Sequence, residues 1–267
     1  MSDLHEDPRQ SAQISEGDHL DTLAKGVAAL RLFSEMKSLS IQDTADRLQI
    51  SRSAARRILV TLEHLGYVTQ EDRRYVLTAK VLDFGFAYYA SRPLPEIARP
   101  VMQQLSRELG ETVALATFEE GDAVFVVGIQ PPHAFHIDFD IGKRLPAYSF
   151  SVGQVLLAGL EETALDEYLR ATPLRPVTPL TVTDPTELRA IITQIRRDGY
   201  RLGINDMMYG VGGIALPIIN RHGQTLAGMV VPMFHGSDWD DMIARYLPAM
   251  KTAASKISGF LVRAQDS

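Results

Sequence analysis

Residues 40 to 78, SIQDTADRLQISRSAARRILVTLEHLGYVTQEDRRYVLT, constrain this chain most, because two short helical periodicities meet at a tight turn and run into a hairpin. In the first, Ile41, Ala45 and Leu48 share one face. Ser40 stands as N-cap, and Asp43 follows three residues on, where a carboxylate favours a helix N-terminus. After the turn at Gln49 and Ile50, Ser51 is placed to cap a second helix by accepting an orphan backbone N–H. On that helix Ala55, Ile58, Leu59, Leu62 and Leu65 form the stripe expected to pack on a core, and Gly66 ends it. The opposite face carries Arg52, Ser53, Arg56 and Arg57 in the first two turns.

Two β-rich runs follow around Gln70, Glu71, Asp72 and Arg73, which predicts a hairpin whose tip offers Arg73 and Arg74. The whole is a winged helix-turn-helix, the arrangement that sets a recognition helix into the major groove and a wing against phosphate. Ser51, Arg52, Ser53, Arg56, Arg57, Arg73 and Arg74 are therefore the candidate contacts to double-stranded DNA. Any one of these arginines alone would read as solvation of an exposed helix; the group, at these places in the motif, reads as an interface.

A net charge of −6 argues at first against a nucleic-acid binder. Its distribution removes the objection: residues 20 to 80 carry a local balance of +3, whereas residues 81 to 267 carry −5. The remaining acidic excess lies in residues 1 to 19, which read as a disordered tail. The length of 267 residues suggests about two domains. The absence of cysteine excludes disulfides and thiolate chemistry and suits a cytoplasmic protein. No apolar run approaches the roughly 18 residues of a membrane helix, and the polar start is unlike a signal peptide.

An amphipathic helix over 21 to 36, with Leu23, Val27, Leu30 and Phe33 or Ser34 marking its faces, gives the head its first helix. The head closes near residue 80, and residues 81 to 95 form a linker helix. Its Phe84, Phe86, Tyr88 and Tyr89 are too many for one face of a lone surface helix, so they pack either on another chain or under the larger domain. Pro93 and Pro95 punctuate the boundary, and a helix over 96 to 109 ends at Gly110. ETVALATF and AVFVVGIQ form a hairpin around EEGD, and AFHIDFDI continues the alternation as a strand. Residues 151 to 170 read as helix. The next helix is sharply bounded, with Asp184 as N-cap, Pro185 at its first position, Glu187 at the capping-box place and Gly199 as terminator. GGIALPII and QTLAGMVVPMF pair around Asn220 to Gly223, and a helix closes the chain. The class is α+β, with an antiparallel sheet and flanking helices in the region 96 to 267.

The head pattern ISRSAARRILVTLEHLGYV, the exit YVLTAKVLDFGFAYYAS, and then IGKRLPAYSFSVGQVLLAGL, RRDGYRLGIND and GGIALPI in order resemble an IclR-type transcriptional regulator over about residues 20 to 265. The exit is similar to members that control aromatic-acid catabolism. The resemblance implies a GAF-like effector domain, a homo-oligomer that is a dimer or dimer of dimers, and a small organic effector that alters binding to promoter DNA. It places the effector pocket at Ile137, Ser151, Val152, Gly203, Gly213, Val230 and Pro232, with Tyr148, Ser149, Asn205 and Asp206 nearby. Members that bind small carboxylates carry polar side chains at the places of Gly203, Gly213, Val230 and Pro232. Their loss here favours a bulkier, more hydrophobic acid, since apolar burial contributes about 25 cal/mol per Å². Phe150 either fills part of the pocket or packs in the core.

No enzymatic constellation assembles. His133 and His136, beside Asp138 and Asp140, resemble a metal cluster, but a strand puts residues three apart on opposite faces. No cofactor is expected. The alternative function is a non-regulatory small-molecule-binding or catalytic GAF-like protein with a basic helical head.

Overall fold

A computed structural model describes residues 20–91, 93–132, 139–205, 209–234 and 239–265. The tail expected to be disordered, residues 1 to 19, lies outside them. The chain divides into two compact units, the first ending at Tyr88 and the second beginning at Tyr89.

The first unit is a winged helix-turn-helix: α1 (Asp21–Leu32), α2 (Ile41–Leu48), α3 (Arg52–His64), β1 (Val68–Glu71) and β2 (Arg74–Leu77), followed by α4 (Leu82–Ser91). Both inner helices start where the sequence places a cap. The Ser40 hydroxyl accepts from Asp43 N at 3.1 Å, the Asp43 carboxylate accepts from Ser40 N at 2.9 Å, and the Ser51 hydroxyl accepts from Ala54 N at 3.2 Å. Gln49, left-handed at φ 53°, makes the turn between them. Ala29, Phe33, Leu39, Ile58, Leu59, Leu62, Val68 and Tyr75 form the core. The register Glu71↔Arg74 leaves Asp72 and Arg73 as a two-residue loop with φ of 44° and 66°, the backbone that matches the twist of a hairpin.

Two expected core assignments change. Leu23 and Val27 are 64% and 47% exposed, because only the C-terminal half of α1, at Ala29 and Phe33, reaches the core. Leu65 lies beyond the last turn of α3 and is exposed too.

The second unit contains α5 (Pro93–Leu109), β3 (Val113–Glu119), β4 (Asp122–Ile129), β5 (Arg144–Pro146), α6 (Ser151–Ala158), α7 (Glu162–Ala171), α8 (Pro185–Asp198), β6 (Arg201–Ile204), β7 (Val211–Ile219), β8 (Thr225–Phe234) and α9 (Trp239–Gln265). The strands form one sheet in the order β5-β4-β3-β8-β7-β6, every neighbouring pair antiparallel. Adjacent glycines of β7 show how both faces are covered. A Cβ on Gly212 would meet the Trp239 ring of α9 at 2.9 Å, while one on Gly213 would meet the Ser151 hydroxyl of α6 at 3.2 Å. Alternation along the strand thus assigns α9 to one face and α6 to the other.

Several boundaries move. α5 begins at Pro93 and contains Pro95, because a proline in the first turn gives up an N–H that has no helical acceptor. Residues 151 to 170 make two helices, α6 and α7, since α6 stops at Gly159, where a Cβ would lie 2.4 Å from Thr225. Of the strand expected over 134 to 141, residues 133–138 are not described, Phe139 and Asp140 are not in a strand, and β5 pairs with β4 instead. α8 matches its signals: the Asp184 carboxylate accepts from Thr186 N at 2.7 Å and Glu187 N at 3.0 Å, and Gly199 is left-handed at φ 73°.

Candidate DNA interface and effector site

Capping and core burial together decide which face α3 shows. Ala55, Ile58, Leu59 and Leu62 turn inward, so Arg52, Ser53, Arg56 and Arg57 are left exposed on its first two turns. Ser51 is exposed as well, but its hydroxyl is held by the Ala54 N–H and lies 3.0 Å from that of Ser53. Among the described residues no carboxylate forms an ion pair with Arg52, Arg56 or Arg57. The start of α3 therefore presents uncompensated positive charge on a rigid element.

The two wing arginines differ. Arg73 stands exposed in the turn between Asp72 and β2. Arg74 is bound into the head: Nε donates to the Ser38 hydroxyl at 2.7 Å, while Nη2 donates to Ser38 O at 2.9 Å and to the Asp43 carboxylate at 2.7 Å. This revises the expected phosphate role of Arg74, because its guanidinium ties the wing to the start of α2.

The N–H and hydroxyl of Ser40, together with Arg74, hold the Asp43 carboxyl below its ordinary value of 3.8. A lowered folded-state value means the ionised carboxylate stabilises the head above 3.8 and loses that contribution as pH falls through the lowered value. The stability difference between the native protein and Asp43→Asn, measured by urea denaturation, should therefore be constant near neutral pH and shrink below about pH 4. A difference independent of pH would show that the charge contributes nothing.

The effector site is built where α6 meets the sheet. Register places Gly203 opposite Gly213 and Gly213 opposite Pro232, in one row across β6, β7 and β8. Val230 lies one step along on the same face, opposite Ala215. Above this row stands the start of α6, with the Ser151 hydroxyl over Gly213 and Val152 against Gly228, where a Cβ would lie 2.5 Å from its methyl. Ser151, Val152, Gly203, Gly213, Val230 and Pro232 are thus brought together. Ser151 is 5% exposed, yet among the described residues its hydroxyl has no hydrogen-bond partner. The N-cap position, Phe150, supplies no side-chain cap, so the first N–H groups of α6 lack that satisfaction also.

Other expected pocket residues have different work. The Tyr148 hydroxyl donates to Arg175 O at 2.9 Å and accepts from Arg175 N at 3.0 Å, and its ring packs with Leu157, Leu165 and Ile192. Ser149 donates to Pro146 O at 2.8 Å. Both residues shape the approach to α6. Asn205 makes the β6–β7 turn: φ is 62°, its side-chain oxygen accepts from Gly210 N at 2.6 Å, and its carbonyl accepts from Thr178 at 2.8 Å. Phe150, 5% exposed, packs with Phe125 at 6.1 Å between ring centroids and belongs to the core. Ile137 and Asp206 lie outside the described residues, as do His133, His136 and Asp138. The Tyr168 hydroxyl accepts from Tyr148 N at 3.2 Å, and burial pushes it up to about 12, so it stays protonated.

Sequence reasoning missed a polar pair beside the row. Gln154, 1% exposed, donates to Tyr148 O at 3.0 Å and accepts from Arg201 Nε at 2.8 Å. Arg201 stands two residues before Gly203 on β6, so strand alternation would have placed it on the pocket face. No helix among the described residues is long and apolar enough to cross a membrane.

The model of the IclR helix-turn-helix domain matches residues 22–72, and that of the C-terminal region of the bacterial transcriptional regulator IclR matches residues 86–259. The Pca regulon regulatory protein of Pseudomonas putida is 36% identical over 249 residues, covering 92% of this chain and 86% of that protein. The p-hydroxybenzoate hydroxylase transcriptional activator of Acinetobacter baylyi is 30% identical over 264 residues, covering 94% of this chain and 95% of its own length. Among solved structures, a transcriptional regulator of Rhodococcus sp. RHA1 superposes with a TM-score of 0.81 at 31% identity, over 92% of this chain and 100% of that one. An IclR homologue of Microbacterium hydrocarbonoxydans, solved in complex with 4-hydroxybenzoate, shares the fold at a TM-score of 0.79 and 24% identity, over 91% and 99% of the two chains. With a winged helix-turn-helix head and an effector unit that both match across nearly the whole length, this chain belongs to the IclR family of bacterial transcriptional regulators.

Proposed function

We propose that this protein regulates transcription by binding double-stranded promoter DNA through α3 and the wing, and that an aromatic carboxylic acid seated between α6 and the Gly203–Gly213–Pro232 row modulates that binding. The observation that carries the effector reading is the buried Ser151 hydroxyl, without a partner among the described residues, at a helix start whose N–H groups favour an anion. Gly213, Val230 and Pro232 present no side-chain donor, so the rest of the ligand is held by apolar contact. The relatives from Pseudomonas putida and Acinetobacter baylyi, named for the Pca regulon and for p-hydroxybenzoate hydroxylase, support an aromatic acid. The protein acts in the cytoplasm, as a regulator and not an enzyme. Residues 20–80 form the DNA-binding domain, residues 81–95 a linker helix and residues 96–267 the effector domain.

A homo-oligomer completes this reading. Leu82, Phe84 and Phe86 of α4 are 70%, 59% and 77% exposed, a patch that a second copy would cover while setting two heads on adjacent half-sites.

Calorimetry against an aromatic-acid panel, with glyoxylate and pyruvate as controls, tests the effector. Binding of the controls alone would overturn it. Gel shifts on the protein's own promoter region test the DNA reading. Arg56→Ala should cost about 1–3 kcal/mol on the specific site and relax its sequence preference. Arg73→Ala should weaken specific and random DNA alike and lower the salt slope by about 1. Equal loss on both DNAs in both variants would contradict these roles.

A further inference from the structure

Two buried side-chain hydroxyls of the effector unit have no hydrogen-bond partner and no exposed surface on the oxygen, those of Thr112 and Thr117. They lie on opposite sides of the sheet. Thr117 alternates with Val113 and Leu115, away from α6. Thr112, 3% exposed, precedes Ala114 by two residues, and Ala114 packs in the cluster beneath α6 with Val152, Ala215 and Val230. Ala114 pairs with Val230 in an antiparallel register. Continued by two residues, that register sets Thr112 beside Pro232, which pairs with Gly213, which pairs with Gly203. The bare row of the effector site therefore ends in a hydroxyl. Ser151 hangs over the row at Gly213, and Thr112 closes it two strands away, at a strand spacing of about 4.8 Å each.

We propose that Thr112 is a specificity-determining residue of the effector site, and that it reads a hydroxyl substituent on the ring of the bound aromatic acid. The inference rests on the effector reading above. The two ends of the site differ in chemistry. Ser151 and the first N–H groups of α6 can donate to a carboxylate. A lone threonine hydroxyl, neutral and able both to donate and to accept, pairs with a phenolic hydroxyl and has nothing to balance a second charge. Gly213 and Pro232 between them leave only apolar surface for the ring. A ligand with a carboxylate at one end and a hydroxyl at the other satisfies both buried hydroxyls, whereas an unsubstituted ring leaves Thr112 unpaired.

Thr112→Val keeps the shape and removes the hydroxyl. The test is calorimetry of both proteins with benzoate, 3-hydroxybenzoate and 4-hydroxybenzoate, together with the melting temperature of each without ligand. The native protein should bind one hydroxybenzoate about tenfold or more tightly than benzoate. The variant should lose that ratio, keep its affinity for benzoate, and melt at the same or a higher temperature, since a methyl replaces an unsatisfied hydroxyl. A lower ligand-free melting temperature would make Thr112 a structural residue bonded within the fold, and would overturn the proposal. So would an unchanged ratio, or no discrimination by the native protein, with the effector reading intact. Failure of every aromatic acid to bind would overturn the effector reading, and this proposal with it.

Discussion

Alanine at position 153 should destabilise the effector unit by about 3 kcal/mol, the upper end of what overpacking usually costs. The added Cβ would stand 2.2 Å from Ala147 O and 2.6 Å from Ala147 Cα. Both are backbone atoms, so no side chain can swing aside. α6 must lift from the turn at 147–149 or that turn must move, and either shift displaces Ser151 from its place over Gly213. For a unit of this size the loss corresponds to a fall in melting temperature of about 6–12 °C. Effector binding should fall with it, while the head unit keeps its own unfolding transition. Gly259→Ala is the control. It sits in α9 with nothing within 4 Å, so it should be neutral or stabilising by up to about 1 kcal/mol. Equal melting temperatures for the two variants, by calorimetric scan, would show that α6 is not seated as described.

The same contact explains why the pocket was only half legible in sequence. Glycine at 213 reads as the removal of a polar side chain. In the fold it is also a place of close approach, where Ser151 of another element fills the space a Cβ would take. Such an approach depends on register between β7 and α6, which no local pattern carries. Thr112 is similar: in ETVALATF it looks like an ordinary start to a strand, and its lack of a partner appears only when burial and neighbours are known. Local signals fared better. The caps at Ser40, Ser51 and Asp184, the left-handed Gly199 and the two-residue wing turn each depend on a few consecutive residues, and each is found as the spacing predicts. The amphipathic reading of α1 failed at Leu23 and Val27 because periodicity identifies an apolar face without saying how much of it has something to pack on. Tyr148 and Ser149 stand beside the pocket in sequence, but their hydrogen bonds turn them to Arg175 and Pro146.

Arg74 shows the limit most sharply, and it leads to the second large effect. Two consecutive arginines in a wing are equivalent in sequence; in the fold, Arg74 reaches Asp43, 31 residues away, and Arg73 does not. Asp43→Ala should therefore cost the head about 2 kcal/mol: about 1 for the lost capping box, and up to about 1 for a pair that is only partly shielded from solvent. For a domain of under 100 residues that is a fall of about 8–16 °C in melting temperature. Arg74→Ala removes the pair and leaves the box, so it should cost about 1 kcal/mol or less. The two losses should be less than additive in the double variant, since both remove the same ion pair. DNA binding separates the framework role from a phosphate contact. If Arg74 holds the wing in place, Arg74→Ala weakens binding through wing mobility and leaves the salt dependence unchanged, whereas Arg73→Ala lowers the slope by about 1. An equal drop in slope for both variants would return Arg74 to the phosphate contacts that sequence alone assigns it. Asp43 would then owe its effect on stability to the start of α2 alone.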